Sequence, residues 1–226
     1  MTMIHYALIP AKKHSSRYEN KNWREFCEGM SLVDFTIETT PQHLFEKTIV
    51  STDNETRTFP KPVLKHLRDK ALATSSASIN DLINVIIAEY GLQDEGYIWL
   101  LNPTAPFRCG TDYEKIADIL NDKKPVAVIS ASKIHPFIWR DNTPLFETKG
   151  KRRNTQDYRE IYSVENGMFF VFSVRHFREH GSWNGGATEL YLQHSIWSSI
   201  DIDTEYDFIQ AQKMAPLFLQ TKKEKK

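Results

Sequence analysis

Tyr97-Ile-Trp-Leu-Leu-Asn-Pro-Thr104 is the stretch from which the fold is read. Tyr97 to Leu101 runs without a polar residue and stops at Asn102, Pro103 and Thr104. A short apolar run bounded by turn residues reads as a buried strand. On its N-terminal side Ser78 opens a helix, with Asp81 three residues on. Leu82, Ile83, Ile86 and Ile87 give that helix an apolar stripe, which ends at Gly91. On the other side Thr111 and Glu114 read as a capping box for a helix carrying Ile116, Ile119 and Leu120. Helix, buried strand and helix together are the unit of an open, mostly parallel sheet.

The same rhythm extends outward. Ile4 to Ile9 is an apolar run ending in Pro10, and Thr48 to Ser51 is a second short strand. Between them Ser31 to Thr40 reads as a helix, with Ser31 as its cap and Pro41 as its stop. Val126 to Ser130 and Met168 to Phe172 read as further strands. Ile196 to Ile202 is expected as a strand leading into a helix at Asp203 or Thr204, through about Met214. The fold class is therefore α/β, and ligands of such sheets sit beyond the C-terminal ends of the strands. Residues 1–226 read as one domain. Residues 140–162 are polar without clear periodicity and read as an arm, lid or dimer element, and 221–226 as a frayed, disordered tail.

Composition narrows the partners. The 226 residues are 40% hydrophobic and 26% charged, which is normal for a globular chain. Lys plus Arg equals Asp plus Glu, 29 each, so no global field draws the chain to nucleic acid or to an anionic membrane. Anion binding must come from a local cluster. Cys27 and Cys109 have no metal-ligand spacing and read as reduced thiols. No apolar run approaches the roughly 20 residues of a membrane span, and no signal-peptide pattern is present, so a cytoplasmic location is expected.

Three segments carry candidate chemistry. After the first strand, Lys12, Lys13, Arg17 and Lys21 face only Glu19. Such a loop suits a triphosphate, although it matches neither phosphate-binding glycine motif. In Ser199-Ile-Asp-Ile-Asp-Thr-Glu205, Asp201 and Asp203 lie two apart, on one face if the segment is extended. Two carboxylates on one face suit a hard divalent ion such as Mg²⁺, with Mn²⁺ as a substitute. The structural alternative has Asp203 capping the next helix. In Leu100-Leu-Asn-Pro-Thr-Ala-Pro-Phe-Arg108, prolines stiffen a loop that leaves a buried strand, as a pocket wall requires.

Taken together, these segments resemble the acylneuraminate cytidylyltransferases (CMP-sialic acid synthetases), relatives of the CMP-Kdo synthetases. The likeness runs from about Ile4 to Gln212. Ile9-Pro-Ala-Lys12 with Ser15, Lys21 and Asn22 is similar to the first motif of that family, and Ile49-Val-Ser-Thr-Asp53 to the second. Leu100 to Arg108 is similar to the third. Glu165-Asn-Gly-Met-Phe-Phe170 and Ser199 to Glu205 complete the set.

The resemblance implies a Rossmann-like three-layer fold of the nucleotide-diphospho-sugar transferase type, with a dimerisation arm and a homodimer. It implies transfer of CMP from CTP to an acidic sugar. Ala11, Lys12, Ser15, Lys21, Asn22, Arg68 and Ser78 would meet the nucleotide, with Lys21 neutralising the α-phosphate. Asp201 and Asp203 would hold the metal, and Asp201 is the candidate base. Asn102, Gln156, Asp157, Phe170 and Trp183 would meet the sugar, the two aromatics as an apolar wall.

The departures from the family pattern cluster. Lys12 replaces an arginine, and no glycine occurs between Ala11 and Glu28, so a less contorted loop is expected. The segment from Asp53 to Arg68 is short, carries Pro60 and Pro62, and is expected to lack a helix. Asn102 stands where a glutamine is common, Ile138 where a lysine is, and Thr155 where an arginine would meet the sugar carboxylate. Arg152 or Arg153 could substitute. Each lost charge-assisted contact costs about 1.5–3 kcal/mol. A 2-keto-3-deoxy acid other than plain N-acetylneuraminate is therefore the expected acceptor. Two rivals remain on sequence: a GT-A glycosyltransferase, through Asp201-Ile-Asp203, and a catalytically decayed nucleotide-binding homologue.

Overall fold

The computed structural model describes residues 3–14, 18–74, 76–134, 137–146, 154 and 162–223. The elements in chain order are β1 (Ile4–Pro10), β2 (Glu25–Cys27), β3 (Met30–Ser31), α1 (Leu32–Thr39), β4 (Lys47–Thr52), β5 (Leu64–Leu67), α2 (Lys70–Ala73), α3 (Ile79–Glu89) and β6 (Gly96–Leu100). They continue with α4 (Gly110–Lys123), β7 (Ala127–Ile134), β8 (Trp139–Arg140), β9 (Thr143–Pro144), β10 (Tyr162–Ser173), α5 (Val174–His180), β11 (Thr188–Gln193) and α6 (Glu205–Lys223).

Among the described residues the main sheet has seven strands in the order β11-β7-β10-β6-β1-β4-β5. β1 pairs in parallel with β4 and β6, and β5 and β11 join in parallel at the two edges. Only β10 runs against its neighbours β6 and β7. The sheet is thus mostly parallel, and helices cover both faces.

Alternation along the strands builds two cores. In β1, Tyr6 and Leu8 face Leu82, Ile83, Ile86 and Ile87 of α3, while Ala7 and Ile9 join Phe35 of α1, Ile116 of α4 and Phe218 of α6 on the other side. Ser31 caps α1 in a full capping box with Asp34. Ser78 caps α3 by accepting from the Asn80 amide at 3.1 Å.

Four expectations fail in instructive ways. The Thr111–Glu114 box does not form, because α4 begins at Gly110 with Cys109 as an N-cap that makes no side-chain bond. Its phase is set by buried Tyr113, stacked on Trp99 at 5.7 Å. Residues 196–202 are not a strand. Ile196–Ser199 is a 3-10 turn that buries Trp197 against Phe107 and Phe218, at 5.5 and 5.3 Å. α6 runs past Met214 to Lys223, with Phe208, Ala211, Ala215 and Phe218 buried along one face. Lys222 Nζ donates to the Thr39 carbonyl at 2.8 Å, so residues 221–223 of the expected 221–226 tail are a tied helix end, and 224–226 lie outside the described residues. The glycine-free loop after β1 is still sharply turned, since Asn20 adopts φ 56°. Residues 53–63 contain no helix, as their length and prolines suggested.

Candidate active site

The loops leaving the C-terminal ends of β1, β5 and β6, with the segment before α6, enclose a cleft of about 620 Å³, within the usual range for a small-molecule site. Lys12, Lys21, Asn22, Arg68, Ser78, Asn102, Asp201 and Asp203 all line it, together with His14, Leu72, Ile79, Leu82 and Thr104.

Lys21 sits at the junction of the early loop and the late acidic segment. Its Nζ donates to the Ile202 carbonyl at 2.6 Å and lies 3.6 Å from Asp203 Oδ1, with only 6% of the residue exposed. The two aspartates flank Ile202, which is fully buried and whose amide donates to the Thr104 carbonyl at 2.8 Å. That anchor keeps the segment extended without a strand, so Asp201 and Asp203 both reach the cleft. Asp203 is not the cap of α6. Thr204 and Asp207 form that cap, with Asp207 Oδ2 accepting from the Thr204 amide at 2.8 Å and its hydroxyl at 2.7 Å. These bonds hold the Asp207 carboxyl below its ordinary range.

The opposite wall carries the cations. Lys12 Nζ donates to the Thr74 carbonyl at 2.5 Å, and the Lys12 carbonyl accepts from Asn22 Nδ2 and Trp23 Nε1 at 3.2 and 3.0 Å. Burial, then the charge of Arg68, pull the Lys12 pKa down. Arg68, 5% exposed, is brought down to about 10 by burial, with Asp53 opposing the shift. It is held by Ser51, through the hydroxyl at 3.2 Å and the carbonyl at 3.0 Å.

Not every expected residue reaches the cleft. Ala11 is buried behind it, its amide bonded to the Ser51 carbonyl at 2.8 Å. Phe170 and Trp183 do not form a wall of the cleft. Alternation along β10 sends Phe170 and Phe172 toward α5, where Trp183 stacks on Phe172 at 5.3 Å and lies 6.0 Å from Phe170. Ser15, Gln156, Asp157, Thr155, Arg152 and Arg153 lie outside the described residues, as does most of the 140–162 segment. The described part of that segment is the β8–β9 hairpin, where the Ile138 carbonyl accepts from the Leu145 amide at 2.7 Å.

Sequence reasoning gave Arg108 no role, and the structure gives it one. Fully buried, it donates from Nε to the Met168 carbonyl at 2.5 Å and from Nη2 to the Asn102 carbonyl at 2.8 Å. It thereby ties the 102–104 loop to β10 beneath the cleft. Burial lowers its pKa to about 10, while Tyr113 and Asp201 act against the shift. Gly167, at φ 73°, lets β10 bulge beside Asp201, whose Oδ2 lies 3.7 Å from where a Cβ would stand. Asn166 in the same motif is structural, bonded to Ser130, Ser132 and Gln193. Among the described residues no group of three or more His, Cys, Asp or Glu side chains could hold a metal.

This sheet, with its cleft at the strand ends, is the Rossmann-like fold of the nucleotidyltransferases. Three solved structures share it. A CMP:2-keto-3-deoxy-manno-octonic acid synthetase complexed with CTP matches with a TM-score of 0.60 at 13% identity, over 95% of this chain and 99% of that one. The bifunctional IspDF of Campylobacter jejuni matches at 0.62 and 12%, over 90% of this chain and 53% of that one. The 4-diphosphocytidyl-2C-methyl-D-erythritol synthase of Anaerococcus prevotii matches at 0.57 and 14%, covering 95% and 97%. At these identities the likeness is one of fold.

Sequence relatives are more particular. An N-acylneuraminate cytidylyltransferase of Escherichia coli O18:K1:H7 is 28% identical over 89% of this chain. A CMP-N,N'-diacetyllegionaminic acid synthase of Legionella pneumophila is 28% identical over 93%. The chain spans 50% of the length of the first and 96% of the second. No family model matches. The resemblance read from the motifs is thus borne out by relatives that are cytidylyltransferases. No helix among the described residues is long and apolar enough to cross a membrane.

Proposed function

We propose that this protein is a cytidylyltransferase that moves CMP from CTP to a 2-keto-3-deoxy acidic sugar and releases pyrophosphate. The observation that carries the reading is the meeting of Lys21 with the acidic segment, 3.6 Å from Asp203, in a cleft whose far wall presents Lys12 and Arg68. Cations on one wall and carboxylates on the other suit a triphosphate that carries a divalent ion.

In this reading Lys12 and Arg68 hold the triphosphate, Asn22 lies on the nucleotide, and Ser78 at the start of α3 borders the cytidine. Lys21 faces the α-phosphate, where charge builds as pyrophosphate departs. The anomeric hydroxyl of the sugar attacks the α-phosphorus in line. Its oxygen–phosphorus bond forms as the bond to the bridging oxygen breaks. The hydroxyl proton passes to Asp201, the titratable group best placed on that wall. Asp201 and Asp203 would hold Mg²⁺, or Mn²⁺ in its place, through their two carboxylates. When bound, that ion offsets the charge of the triphosphate.

The acceptor is a nonulosonate of legionaminic or pseudaminic type rather than plain N-acetylneuraminate. The two relatives, both 28% identical, bear the names of different acids, so identity does not choose between them. The departures at Asn102, Ile138 and Thr155 support an altered sugar pocket, and so a different acid, since two of them put neutral residues where sialic acid enzymes commonly carry cations. A homodimer is in keeping with exposed apolar side chains on the end of β7, the start of β10 and the β8–β9 hairpin, Trp139 being 55% and Val164 48% exposed.

A pyrophosphate-release screen of CTP and Mg²⁺ against Kdo, sialic, legionaminic and pseudaminic acids tests the reading. Release is expected with a legionaminic or pseudaminic acid. Silence with every acid refutes the transferase, and fast, tight turnover of N-acetylneuraminate refutes the acceptor class.

A further inference from the structure

Behind the cationic wall runs a line of buried polar groups that none of these roles uses. The Ser51 hydroxyl, which receives Arg68 Nε, also lies 2.9 Å from His66 Nδ1. His66 Nε2 lies 3.4 Å from the Glu89 carboxylate, at the solvent-exposed end of α3. Ser51, His66 and Arg68 are 0%, 4% and 5% exposed.

The proton positions follow from the groups at the two ends of the line. A guanidinium only donates, so Ser51 Oγ accepts from Arg68. The Glu89 carboxylate only accepts, so the proton of a neutral His66 ring faces it from Nε2, and Nδ1 is left to accept from the Ser51 hydroxyl. Each member of the line is satisfied in one direction, which leaves Arg68 one orientation and not several. Burial lowers the pKa of His66 and, with Arg68, outweighs the opposing Glu89 carboxylate, a net direction in keeping with a neutral ring. Tyr90, with its ring 6.3 Å away, packs against His66 edge-on.

We propose that His66 is a positioning residue that acts through Ser51 to fix the guanidinium of Arg68 for the anionic ligand of the cleft. The inference rests on the reading of that ligand as CTP. Removing the imidazole acceptor leaves the Ser51 hydroxyl free to rotate, and Arg68 keeps its charge but loses the orientation that its side-chain bond imposes.

Calorimetric titration of CTP with Mg²⁺ into the wild type, His66→Phe, Ser51→Ala and the double variant tests this. Phenylalanine keeps a planar ring against Tyr90 but offers no acceptor. His66→Phe and Ser51→Ala are each expected to weaken CTP binding about tenfold. The double variant is expected to bind no more weakly than Ser51→Ala, because both changes break one path. His66→Asn, with an amide oxygen near the Nδ1 position, is expected to restore binding to within about threefold of the wild type. A His66→Phe protein that binds CTP like the wild type overturns the inference, and so does a double variant whose losses multiply to about a hundredfold. If the wild type itself fails to bind CTP, the nucleotide reading falls and takes this inference with it. Normal wild-type binding with unaltered variants removes the inference alone.

Discussion

The two walls of the cleft treat charge in opposite ways. On the β1–β4–β5 side, Lys12 and Arg68 reach the cleft while backbone carbonyls and the Ser51 hydroxyl hold their stems in place. On the β6–β10 side the cation is Arg108, which never reaches the cleft and spends two donors on the Met168 and Asn102 carbonyls beneath it. What that wall presents instead is a pair of carboxylates on an extended segment pinned by Ile202. One wall thus presents its cations to the cleft, whereas the other stores its positive charge as scaffold. Lys21 belongs to both, since it arises from the first loop and is anchored to the second segment.

The contrast can be broken in graded steps. Replacing Lys21 by Met should lower kcat by roughly a hundredfold to a thousandfold, because it removes charge stabilisation where pyrophosphate leaves. Circular dichroism should show the fold retained. Arg68→Lys should raise KM for CTP by about tenfold with a smaller effect on kcat, since an ammonium cannot make the forked contact. Arg108→Met should behave differently. It leaves two carbonyls unsatisfied and should cost about 3 kcal/mol of stability, seen in denaturant midpoints, with CTP affinity nearly unchanged in the folded fraction.

Phe170 and Trp183 sharpen the same comparison. Trp183→Ala should cost about 3 kcal/mol through lost packing on Phe172 and Phe177, and leave KM for the sugar acid unmoved. The smallest effect belongs to the α6 cap. Thr204→Ala should cost about 1 kcal/mol. Its pH dependence has a definite sign, because the folded Asp207 carboxyl titrates below its unfolded value. The cap therefore contributes fully above the unfolded carboxylate range and is lost as pH falls through the folded value, so wild type and variant should converge in acid.

Residues whose chemistry is conspicuous were legible in the sequence. Lys21, Asp201 and Asp203 stood out by charge and spacing, Arg68 only through the family resemblance, and the buried strands by their uninterrupted apolar runs. What failed depended on contacts between distant residues. β11 escaped notice because it is an edge strand whose Leu190 is 52% exposed, so no apolar pattern marks it. Residues 196–202 had a strand-like pattern, yet burial of Trp197 against Phe107 and Phe218 decided their path. Phe170 looked like a pocket wall because its motif ends there, whereas its parity on β10 turns it to the far face. His66 and Arg108 carry no local signal, since their roles exist only once Ser51, Met168 and Asn102 are brought beside them.

Everything turns on two acidic side chains acting with Lys21 on one bound nucleotide. Pyrophosphate release by Asp201→Ala, measured with CTP, Mg²⁺ and the preferred sugar acid, probes that directly. The expected result is a rate at background with CTP binding weakened far less, by about fivefold, because Asp203 remains to hold the ion. A variant that keeps most of the wild-type rate would contradict the assignment of the acidic pair.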